Sequence, residues 1–179
     1  KHFTNDMIPD QTGKVAVVTG ANTGVGYQVA LQLAHHGCRV YIGCRSEERA
    51  VDAIARMQAQ LAQWHKDEEN YKGSDIHYLH LDQNSLKSVD AAATRMLELE
   101  LEIDVLINNA GIMTTPYALS ADGIESQFAV NHVGTVHFTE RLLGAVRAAG
   151  KAERPACLVF TSSIGHAHVP RCGVELTLE

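Results

Sequence analysis

KVAVVTGANTGVGYQVALQLAHHG, residues 14–37, sets the pattern for the whole chain. Val15, Ala16, Val17 and Val18 form a short apolar run rich in β-branched residues, the signature of a strand covered on both faces in a parallel sheet. Thr19 and Gly20 stop it. Gly20, Gly24 and Gly26 lack a β-carbon where a ligand's phosphates would approach the main chain, and the helix that follows offers unpaired N–H groups to an anion. Val29, Leu33 and Ala34, with Val25 and Ala30, recur at helical spacing, so this helix is expected to lie back on the sheet and to end at Gly37.

Working outward, the alternation of strand and helix continues. Arg39–Cys44 reads as a second strand, and Ser46 as the cap of a helix whose Ala50, Ile54, Met57 and Leu61 share a face. Residues 65–74, HKDEENYKGS, form a polar loop before a third strand, Ile76–Leu81. Ser85 caps a third helix with Leu86, Val89, Ala93, Met96 and Leu97 inward, and Ile103–Ile107 is a fourth strand. A long helix is expected from about Ile124 to Ala149, burying Phe128, Val130, Val133, Val136, Leu142 and Val146, before a fifth strand, Cys157–Thr161. This order implies a doubly wound, Rossmann-type parallel α/β sheet with helices on both faces and ligands at the carboxyl ends of the strands. The expected organisation is one dinucleotide-binding domain over 1–179, with a lead at 1–13 and an irregular tail at 164–179.

Composition limits the partners. With 15 Lys and Arg against 21 Asp and Glu, the net charge of -6 argues against a general nucleic-acid binder and favours a small-molecule ligand. No apolar run reaches the length of a membrane span, the N-terminus does not read as a signal peptide, and a cytosolic location is expected. Cys38, Cys44, Cys157 and Cys172 have no Cys-x-x-Cys spacing and read as reduced, packed thiols. His166 and His168 invite a metal reading, but no third ligand accompanies them at a recognisable spacing, and no metal is expected.

Cys44 and Arg45 close the second strand, where a dinucleotide fold usually has an acidic residue for the ribose diol. A neutral residue followed by a guanidinium favours a 2′-phosphate, hence NADP over NAD; the plainer reading of Arg45 is a solvated surface charge. Asn108, Asn109, Ala110 and Gly111 follow the fourth strand and face the same end of the sheet. Asp82 past the third strand also reads as a turn or capping carboxylate, Asn131 as a structural amide, and Ser162–Ser163 as a turn pair.

The spacing Thr-Gly-x-x-x-Gly-x-Gly at Thr19–Gly26, with Asn108–Gly111 at its proper distance, resembles the short-chain dehydrogenase/reductase family. PDQTGKVAVVTGANTGVG, YIGCRS and SSIGH look most like its retinol dehydrogenase-type carbonyl reductase branch. The resemblance implies that Gly20, Asn22, Thr23, Gly24, Val25 and Gly26 bind cofactor phosphates. It also implies that Asp82 meets the adenine and that Asn109, Ala110 and Gly111 lie at the nicotinamide-side ribose. It gives Ser163 a catalytic role on a substrate carbonyl or alcohol, and Asn131 a place in a water-linked proton path.

The resemblance breaks at one point. The family relies on Tyr-x-x-x-Lys downstream of the serine, and none of Tyr27, Tyr41, Tyr71, Tyr78 or Tyr117 has lysine four residues later. The leading expectation is an NADP-dependent oxidoreductase, incomplete as given and lacking the last helices and strands. The alternative is a naturally short member that serves as a non-redox enzyme or as a cofactor- or partner-binding protein. An open edge at the fifth strand would need cover, most simply in a homodimer.

Overall fold

Main-chain hydrogen bonding in β1, Val15–Thr19, is satisfied on both sides, and this central position explains why its side chains are all buried. In the computed structural model, which describes residues 3–67, 69 and 73–168, β1 pairs with β2, Arg39–Cys44, and with β4, Val105–Asn108. The strands β3, Ile76–His80, and β5, Cys157–Phe160, complete a five-stranded sheet in the order β3-β2-β1-β4-β5. Every pairing is parallel. The register sets Val17 beside Tyr41 on one side and Leu106 on the other.

Alternate residues of the strands feed two cores. Ala16, Val18, Val40 and Ile42 pack with α1, Gly24–His35, and α2, Glu47–Trp64; Val17, Tyr41, Leu79 and Leu106 pack on the opposite side with α3, Leu86–Leu99, and α5, Thr135–Ala149. The expected Rossmann-type doubly wound fold is the observed one. Ser46 and Ser85 accept hydrogen bonds from the backbone N–H groups of Arg49 and Ser88, both at 3.4 Å, and so cap α2 and α3.

Several inward-facing assignments are corrected. In α1, Val25 is 67% exposed, and Tyr27 and Leu31 fill the core beside Ala30 and Ala34. The expected long helix runs without a gap from Ser126 to Ala149, but passes from α4, Ser126–Phe128, through a π-helical turn at Ala129–Gly134 into α5. Phe128, 54% exposed, and Val136 face outward, while Phe138 is fully buried. The inward positions of this stretch include Gly134, Thr135 and Thr139, small or polar residues that hydropathy does not mark as core. Cys38 and Cys44 are buried, but Cys157 is exposed on β5; Cys172 lies outside the described residues.

Candidate functional site

The carboxyl ends of β1, β2, β3 and β4 surround a cavity of about 380 Å³. Gly20, Asn22, Thr23, Arg45, Asp82, Asn109, Ala110 and Gly111 line it, as do Ser46, Arg49, Gln83 and Ile112, which sequence reasoning did not assign to the site. Gly24, Val25, Gly26, Asn131 and Ser163 are not in this lining. The site is the one predicted by strand topology: adjacent strands whose connections run to opposite faces open a crevice between them.

Two of these glycines are also required by the protein's own packing. A β-carbon at Gly20 would stand 2.9 Å from Ala110 Cα, and one at Gly26 would stand 2.5 Å from Asn109 Nδ2 and 2.7 Å from Gly20 O. Their space is taken by the Asn109–Ala110 turn and by the loop itself. Gly24 has open space around it but a φ of +60°, so glycine is favoured there by backbone conformation.

Thr19, the first residue of the glycine motif, joins the two motifs. Its hydroxyl accepts from the backbone N–H groups of Asn109 and Ala110, at 3.0 and 2.9 Å. Asn109 Nδ2 also donates to Thr19 O at 3.0 Å. Arg56 supports the loop from the other side: its guanidinium lies 4.9 Å from the Tyr27 ring centroid and donates to Asn22 O at 3.4 Å.

At the β2 end, Cys44 is buried, and that burial pushes its thiol above its ordinary value, although backbone hydrogen bonds from Ala21 and Asn22 oppose the shift. The position is therefore uncharged at neutral pH. Arg45, Ser46 and Arg49 line the same cavity. Asp82 Oδ1 accepts from Asn84 N–H at 3.0 Å, which gives it the turn role read from sequence while it also lines the cavity.

Asn131 belongs to the π-helical turn. It is exposed rather than buried, and its carboxamide makes one reciprocal pair with the backbone: Oδ1 accepts from Ile112 N–H and Nδ2 donates to Ile112 O, each at 2.8 Å. Ser163 lies past β5, exposed, with Oγ accepting from Gly165 N–H at 3.1 Å. The His166 and His168 side chains lie outside what is described.

The donor set suits a dinucleotide: main-chain groups of a glycine loop at a helix start, two guanidinium groups, one carboxylate and a neutral thiol around one crevice. A family profile described as short chain dehydrogenase matches residues 14–174. The chain is 40% identical over 172 residues to short-chain dehydrogenase/reductase drtF of Aspergillus calidoustus, covering 94% of this chain and 52% of that protein. It is 41% identical over 154 residues to retinol dehydrogenase 12 of Bos taurus, covering 86% and 44%. The chain thus spans about half the length of the curated relatives it matches. A solved structure described as the Pseudomonas aeruginosa RhlG/NADP active-site complex aligns with a TM-score of 0.70 at 26% identity, covering 94% of this chain and 62% of that one. Among the described residues, no helix is long and apolar enough to cross a membrane. The profile match, the order of the motifs and the parallel sheet together assign the chain to the short-chain dehydrogenase/reductase family, in its retinol dehydrogenase-like branch.

Proposed function

We propose that the cavity binds NADP(H) in an oxidoreductase acting on a small-molecule carbonyl or alcohol. The observation that carries this reading is the Cys44–Arg45 wall, with Arg49 beside it. An acidic residue at the end of β2 would repel a 2′-phosphate; a neutral buried thiol does not, and two guanidinium groups attract it. The cofactor would supply the hydride chemistry. The chain's residues would bind and orient: the loop from Gly20 to Gly26 at the phosphates, Asp82 at the adenine, and Asn109, Ala110 and Gly111 at the nicotinamide-side ribose. Asn131 and Ser163 are the proposed proton-path and substrate-binding groups.

A homodimer is proposed as the partner state; among the described residues Leu158, Val159 and Phe160 of β5 are exposed apolar side chains. A cytosolic location is supported by the free thiols of Cys38 and Cys44. The cofactor reading is tested by fluorescence titration of Arg45→Asp. NADPH affinity should fall far more than NADH affinity, and equal losses refute the role of Arg45.

A further inference from the structure

The π-helical turn is held by a hydrogen-bonded pair outside the family motifs. Thr135 Oγ1 donates to Val130 O, five residues earlier, at 3.0 Å. A threonine in an α-helix reaches the carbonyl three or four residues back, so this bond matches the widened turn. The hydroxyl has one proton, and Gln83 Nε2 donates to its oxygen at 2.8 Å, leaving that proton for Val130. Both side chains are buried. Gly134 permits the approach, because a β-carbon there would stand 2.4 Å from Gln83 O. Asn131 lies within this turn, gripping Ile112, and Gln83, Val130 and Ile112 all line the cavity.

We infer that Gln83 and Thr135 are positioning residues for Asn131: their bond fixes the π-helical turn, and the turn sets the Asn131 carboxamide on the Ile112 backbone at the cavity wall. The consequence for catalysis rests on the cofactor reading above; the positional claim does not.

The test is amide hydrogen exchange of this chain by NMR, without cofactor. Thr135→Val and Gln83→Leu should each speed exchange at Ile112 N–H by about tenfold or more while Val17 and Leu106 in the central strands keep their protection. Thr135→Ser, which retains the hydroxyl, should restore the Ile112 rate. Gly134→Ala, which pushes the turn off Gln83, should give the same local signature as Thr135→Val. Unchanged exchange at Ile112 in Thr135→Val overturns the inference. So does equal acceleration of all core amides, which would make the pair an element of general stability, or failure of Thr135→Ser to rescue. NADPH titration of the unaltered chain is run alongside: absence of binding removes the cofactor reading and leaves the exchange result to decide the positional claim.

Discussion

Asn109 donates twice to Thr19, its backbone N–H to the threonine hydroxyl and its carboxamide Nδ2 to the threonine's carbonyl, each at 3.0 Å. These two bonds lock the end of β1 to the turn after β4. Thr19→Val would leave the N–H groups of Asn109 and Ala110 without their shared acceptor at a site where Thr19 is fully buried. The expected cost is about 2 kcal/mol in urea unfolding, with Thr19→Ser closer to the parent protein. Equal stability of Thr19→Val and the parent would mean that the hydroxyl does not join the two motifs.

Gly26→Ala sets a methyl group against Asn109 Nδ2 and Gly20 O. Because Gly20 O belongs to the backbone, the loop must move. The gain in helix propensity is smaller than the strain, and a net loss of about 1–3 kcal/mol is expected in the same unfolding assay. A neutral or stabilising effect would show that the loop yields freely.

Glu125 caps the helical stretch that leads to Asn131, accepting from Gln127 and Phe128 N–H at 3.0 and 2.8 Å. These two backbone bonds hold its carboxyl below the ordinary glutamate value of 4.5. A lowered folded value means that the capping contribution is complete above the ordinary range and is lost as pH falls through the folded value. NMR titration should show the Gln127 and Phe128 amides shifting with a midpoint below 4.5. A midpoint at or above that value contradicts the cap.

Thiol labelling followed by peptide mapping should separate the cysteines. Cys157 is exposed, whereas Cys38 is buried and pushed up to about 12, first by that burial and then by the nearby Asp104 charge. Iodoacetamide at neutral pH should modify Cys157 in the native protein and leave Cys38 and Cys44 for labelling after unfolding. Prompt native labelling of Cys38 would contradict its placement under the sheet.

The strands and their parallel pairing were legible because parallel strands buried on both sides are written as apolar runs, as in Val15–Val18 and Val40–Ile42. Eight of the eleven residues expected to bind cofactor line one cavity, since strand topology brings the loops after β1, β2, β3 and β4 to one end. Arg49 was hidden because its place in the first turn of α2 looks like an ordinary solvated charge. Gln83 and Thr135 were hidden for a different reason. Their bond spans 52 positions, and neither local spacing nor hydropathy reports a polar pair at that distance. The π-helical turn was masked by apolar residues on both sides of the helix, Phe128 and Val136 outward, Val130 and Phe138 inward.

The central claim is that this cavity prefers a dinucleotide carrying a 2′-phosphate. Calorimetric titration of the unaltered chain with NADPH and with NADH tests it most directly. The account predicts NADPH binding at least about tenfold tighter than NADH. Equal affinities, tighter NADH binding or no binding of either would contradict it.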